Sequence, residues 1–186
     1  LMRAFVLAAA LLAAPAMADT VEYNDTDLYI NSAGHGSLLQ DPRGVLNFNT
    51  VWNNNLGNAS GNQVTINFTT GAYGNPDYVY GGYNDTATVS NNTVTILSGT
   101  LNNAYIYGGR SDSGAVTGNT VNISGGTVNH SIYGGRSNTG TATGNTVNIS
   151  GGTVSGNIYG GLVDGNGNAT GNTVSISGSQ TLDLSG

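Results

Sequence analysis

Asn119-Thr-Val-Asn-Ile returns as Asn145-Thr-Val-Asn-Ile 26 residues later, and Ile132-Tyr-Gly-Gly returns as Ile158-Tyr-Gly-Gly at the same interval. A fixed period of this size marks a stacked repeat, in which a unit can bury its apolar face only against its neighbours. Gly118 to Gly161 holds the pattern most cleanly. Looser copies occur at Asn62, Asn92 and Asn172 for the first motif, and at Val79 and Ile106 for the second. The two motifs alternate every 13 or 14 residues. That spacing predicts 26-residue coils made of two 13-residue halves, each with one short strand and one turn.

Side chains alternate across a strand, so Val121 and Ile123 share one face while Thr120, Asn122 and Ser124 share the other. Stacked coils then align Val94, Val121, Val147 and Val174 in one inner column, and Ile96, Ile123, Ile149 and Ile176 in another. Asn119, Asn145 and Asn172 are expected outside, as an amide ladder. Gly125-Gly126 and Gly134-Gly135 are read as sharp bends. No helical period appears after residue 18. The fold class is therefore all-β. The expected architecture is a right-handed parallel β-helix (a β-solenoid), because parallel crossovers are overwhelmingly right-handed.

Three segments are expected. Arg3, the apolar run Ala4 to Ala14, and Ala16 and Ala18 before Asp19 form a signal peptide over 1–18, cleaved after Ala18. The run is too short to span a membrane. Residues 19–60 are irregular and read as an N-terminal cap, with Leu28 and Ile30 alternating as in a short strand. Residues 61–186 carry the solenoid repeats. Ser179-Gln-Thr-Leu departs from the repeat, and the chain stops where another Ile-Tyr-Gly-Gly is due, so a truncated chain is expected.

Residues 61–178 resemble the passenger region of bacterial autotransporters, the type V secreted outer-membrane proteins of Gram-negative bacteria. The resemblance rests on Ile132-Tyr-Gly-Gly-Arg-Ser, the small loop to Thr143, and Gly144-Asn-Thr-Val-Asn-Ile-Ser-Gly-Gly-Thr-Val. It implies a β-helical passenger exported to the cell surface and serving in adhesion or host contact. Its partners would be host or neighbouring cell-surface molecules, protein or glycan. Such proteins end in a translocating β-barrel, and nothing after Gly178 looks like one. Membrane attachment is thus expected only through a barrel absent from this sequence. Self-association through exposed coil ends is a further expectation.

Charge narrows the partners. The chain has no Lys, four Arg against ten acids, and a net charge of −6. Nucleic acid is disfavoured, because nothing could neutralise a row of phosphates. There are no cysteines, so no disulfide framework and no thiolate metal site.

Two exposed columns are candidate sites. Tyr80, Tyr107, Tyr133 and Tyr159 recur once per coil and face away from Ile132. An external aromatic column could bind sugar rings, or simply stabilise the ladder. Asp85, Asp112, Asn138 and Asp164 each lie three residues beyond the second Gly of a Tyr-Gly-Gly. Stacked oxygens could hold a hard cation, but the favoured reading is that they set the turn. Arg110 and Arg136, one period apart, read as solvated surface. His35 and His130 stand apart in Gly-rich or variable turns, and no Gly-x-Ser-x-Gly elbow occurs. No catalytic, metal or cofactor residue is assigned, and the chain reads as a non-enzyme. The alternative is a carbohydrate-binding or polysaccharide-cleaving secreted β-helix protein.

Overall fold

The structure is a computed structural model that describes residues 20–24, 28–31, 50–51, 60–67, 78–179 and 181–182, with backbone alone before 60 and after 179. The expected signal peptide at 1–18 lies outside the described residues, as does most of the 19–60 region.

The described chain is an all-β solenoid of parallel strands, as its repeat demands. One coil takes in Val116–Thr117, Thr120–Ile123, Thr127–Val128 and Ile132–Ser137. Each of these strands pairs in register with its counterpart in the next coil, so four sheets run along the axis. Valine pairs with valine and isoleucine with isoleucine: Val121 with Val147 and Ile123 with Ile149. Between the ladder asparagines the rise is 26 or 27 residues, and 30 from Asn62 to Asn92.

The count of strands corrects the expected coil. Each 13-residue half holds two strands, one of them only two residues long. A corner separates them. Gly118 and Gly144 have φ of +65° and +64°, and this left-handed turn breaks the ladder between Thr117 and Thr120 and between Thr143 and Thr146. A two-residue strand is too short to show alternation, so the sequence pattern merges it with the turn.

The Val/Ile sheet extends beyond the repeats. Thr20–Asn24 pairs in parallel with Gln63–Asn67, and Leu28–Asn31 pairs antiparallel with Thr20–Asn24. The short strand expected around Leu28 and Ile30 is therefore present. It is the one antiparallel partner among the described strands.

The core is a set of columns. Val64, Val94, Val121, Val147 and Ile66, Ile96, Ile123, Ile149 meet Leu101, Val128, Val154 and Val79, Ile106, Ile132 in one cluster. All are at most 2 % exposed. Val89 and Val116 form a small separate cluster. In the last described coil, Val174 and Ile176 rise to 41 % and 45 % exposed, because no described coil lies over them.

Candidate functional site

The Tyr-Gly-Gly strand carries the unusual chemistry. The strands Tyr105–Ser111, Ile132–Ser137 and Ile158–Val163 hold Ile106, Ile132 and Ile158 in line, and Tyr107, Tyr133 and Tyr159 in line on the opposite face. The rings stack as the repeat predicts. Centroids are 5.1 Å apart for Tyr80–Tyr107, 4.9 Å for Tyr107–Tyr133 and 5.0 Å for Tyr133–Tyr159, with interplanar angles of 18°, 7° and 7°.

The column is not the exposed stripe expected. Tyr80, Tyr107 and Tyr133 are 6 %, 1 % and 7 % exposed. At this spacing each ring face covers the next, which leaves no face for a sugar. Tyr78 and Tyr105 form a shorter column beside it, stacked at 5.7 Å. His130 lies against Tyr105, with centroids 3.7 Å apart, and its Nδ1 accepts the Ser131 N–H.

The two arginines belong to the same column and are not free surface charges. Arg110 Nη1 donates to the Tyr80 hydroxyl at 3.1 Å, and Arg136 Nη1 to the Tyr107 hydroxyl at 3.3 Å. Each thus reaches back one coil. The Arg136 guanidinium also sits 5.3 Å over the Tyr133 ring, and that of Arg110 5.6 Å over Tyr83 and Tyr107. In register with them, Tyr83 stands in the first coil and Leu162 in the last. Burial pushes the Tyr107 hydroxyl up to about 12, against the pull of Arg136. Burial also raises Tyr83, with Asp85 and Asp112 adding to it.

The Asx column is likewise engaged. Asp112 accepts from Asn138 Nδ2 at 2.9 Å and from the Tyr83 hydroxyl at 3.1 Å, and Arg110 Nη2 lies 3.7 Å away. Asp164 accepts from Arg136 Nε at 2.9 Å and Nη2 at 2.7 Å. Asp85 is an electrostatic and hydrogen-bond neighbour of Tyr83. These oxygens face side-chain donors. Among the described residues no group of three or more His, Cys, Asp or Glu could hold a metal ion.

Nor does the Asx column set the turn by the bonds seen here. The residue before it does. Ser111 Oγ accepts from Gly114 N and Ser137 Oγ from Gly140 N, both at 2.9 Å. In the first coil Asn84 Oδ1 takes Thr86 N and Ala87 N at 3.0 and 2.7 Å. Ser137 Oγ in turn donates to the Gly114 carbonyl one coil back, at 2.9 Å. Sequence reasoning passed over these serines, although Arg-Ser-x-x-Gly at 110 and 136 was the signal.

The asparagine ladder exists, but it lies inside. Asn92, Asn119 and Asn145 are fully buried. Asn145 Oδ1 accepts both the backbone N–H and the Nδ2 of Asn119, at 3.0 and 2.9 Å. Asn145 Nδ2 donates to Asn172 Oδ1 and to the Val116 carbonyl, each at 3.0 Å. An amide has two lone pairs and two N–H donors, and here all four are used. The ladder can enter because the strand opposite is glycine. A Cβ on Gly109 would lie 2.6 Å from Asn119 Cγ, and one on Gly135 would strike Asn145. Gly134-Gly135 therefore lies inside a strand and permits close approach; of the two pairs read as bends, only Gly126 turns with a positive φ, +77°.

Charge is confined to this corner. Among residues whose side chains are described, Asp85, Arg110, Asp112, Arg136 and Asp164 are the only charged ones. The outer face of the Val/Ile sheet instead carries Thr93, Thr120, Thr146 and Thr173 in one file, with Thr95, Asn122, Asn148 and Ser175 beside it.

Comparison with family models, curated proteins and solved structures finds no match to this chain.

Proposed function

We propose that the chain is part of a secreted, surface-exposed β-solenoid passenger, a non-catalytic scaffold whose flank contacts host or neighbouring cells. One observation carries the reading. The conspicuous polar groups at the Tyr-Gly-Gly corner and in the ladder bond to one another, while the broad outer faces present repeated uncharged hydroxyls and amides. Such a surface suits many weak contacts summed along an axis rather than one pocket. The leader-like residues 1–18 and the repeat's resemblance to autotransporter passengers support export.

Protease treatment of intact producing cells tests the location. Loss of the chain with cytoplasmic markers spared is expected, and full protection would remove the reading. Beads coated with the chain test adhesion. Saturable binding to cells or matrix should fall when Thr120→Lys and Thr146→Lys are combined, and an absence of saturable binding would count against a contact role.

The carbohydrate-binding alternative draws on the same tyrosines, but their ring faces are covered. A glycan-array signal abolished by Tyr133→Ala in a chain that still folds would restore it.

A further inference from the structure

The tyrosine column ends on a different kind of tyrosine. The Tyr83 ring lies 5.4 Å from the Tyr80 ring, tilted by 38°. Its hydroxyl donates to Asp112 Oδ2 at 3.1 Å. The hydroxyl oxygens of Tyr80 and Tyr107, by contrast, receive arginine N–H donors. We propose that the column carries one-electron oxidising equivalents from Tyr159 to Tyr83, where Asp112 takes the proton.

The path consists of contact-distance steps. Tyr159, Tyr133, Tyr107 and Tyr80 are separated by 4.9 to 5.1 Å between centroids, and Tyr83 follows at 5.4 Å. Electron transfer falls off steeply with distance, so this run of near-parallel rings outcompetes longer routes. The side branches are wider, at 5.8 Å for Tyr78–Tyr80 and 6.4 Å for Tyr105–Tyr107.

The end point follows from the proton. An oxidised phenol is a strong acid and is stabilised only when its proton leaves. Arg136 and Arg110 are cationic donors aimed at the oxygens of Tyr107 and Tyr80, so they take no proton and disfavour positive charge on those rings. Tyr83 alone in this path has a hydrogen bond to a carboxylate. A surface one-electron oxidant, such as a ferryl haem or a carbonate radical, accepts an electron from Tyr159, which is half-buried. An electron from each ring then refills the one before it. At Tyr83 the O–H bond breaks, the proton passes to Asp112 Oδ2, and a neutral tyrosyl radical remains beside a carboxylic acid. The oxidant is reduced by one electron.

The full chain has no cysteine, so Asn157→Cys gives a single attachment point for a ruthenium photo-oxidant two residues before Tyr159. Flash oxidation is followed by transient absorbance and electron paramagnetic resonance. A long-lived tyrosyl signal is expected, and Tyr83→Phe should remove most of it. Asp112→Asn should slow its appearance. Tyr107→Phe keeps a stacked ring that is much harder to oxidise, so it should delay arrival at Tyr83 without unfolding the chain. Circular dichroism confirms the fold of each variant. An unchanged long-lived signal in Tyr83→Phe, or an unchanged arrival time in Tyr107→Phe, overturns the proposal.

Discussion

Asn119 Nδ2 lies 2.9 Å from Asn145 Oδ1, and the same oxygen accepts the Asn119 backbone N–H at 3.0 Å. One amide thus closes a main-chain gap and a side-chain gap together. Each rung does this for the rung before it, in a place water does not reach. Removing one amide therefore harms its neighbours more than itself. Asn119→Ala leaves the N–H and Nδ2 of Asn92 without their acceptor, and the Val89 carbonyl without its donor. Buried groups left unsatisfied cost about 1–3 kcal/mol each, so a loss of about 3–5 kcal/mol is expected in urea unfolding. Asn148 bonds Asn122 on the outer face at 2.9 Å. There water can replace the partner, and Asn148→Ala should cost about 0.5–1 kcal/mol. Equal losses at the two positions would contradict the buried ladder.

The second glycine of each Tyr-Gly-Gly is tied to the same ladder. Gly135 stands opposite Asn145, and a methyl group there would overlap its amide. The amide is held by four hydrogen bonds, so it cannot step aside cheaply. Gly135→Ala should destabilise the chain by about 2–4 kcal/mol, the upper range of overpacking with hydrogen bonds also displaced. Double substitution with Asn145→Ala checks the cause. If the clash is with the amide, the two losses are strongly non-additive, as residues in contact are.

These contacts show what was legible in the repeat. The Val and Ile columns were, because apolar side chains at every second position leave one burial solution. The tyrosine stacking was too, because identical residues one coil apart must meet in a parallel register. Whether each column faces water was not legible. Asn119 looks like any polar surface residue until Gly109 is known to lie against it. Tyr107 looks exposed until its own neighbours are counted as its cover. The turn-setting role passed from Asp112 to Ser111 for the same reason. Composition marks both as turn formers, and only the three-residue reach from Ser111 Oγ to Gly114 N separates them.

The corner before each ladder asparagine offers a contrast between backbone and packing. Gly144 has φ of +64°, and a Cβ there would meet nothing within 4 Å. Any cost of substitution is then conformational. Asn91 occupies the same corner in an earlier coil with φ of +56°, the one non-glycine residue with positive φ among those described. Asparagine enters this region far more readily than a β-branched residue. Gly144→Asn should therefore cost less than about 1 kcal/mol, and Gly144→Val at least about 1–2 kcal/mol. Thermal melting of the two variants side by side checks this, and equal melting temperatures would show that space, not φ, decides the position.

Alkaline pH probes the buried phenols. Tyr107 is raised from 10.0 to about 12, chiefly by burial. Between those values an unfolded chain has lost the proton that the folded chain keeps. The folded state then binds more protons than the unfolded one, so stability falls as pH rises. The contribution is complete below about 10 and is lost as pH climbs to about 12. Burial raises Tyr80 in the same direction, although Arg110 opposes it, and Tyr83 adds to the effect. Urea midpoints measured at a series of pH values should hold steady below about 10 and then decline steeply. Tyr107→Phe keeps the stacked ring and removes one titrating group. It should make the decline shallower while lowering the neutral-pH midpoint slightly, through loss of the Arg136 bond at 3.3 Å. A decline of unchanged slope in Tyr107→Phe would mean that this phenol ionises in the folded chain as readily as in the unfolded one.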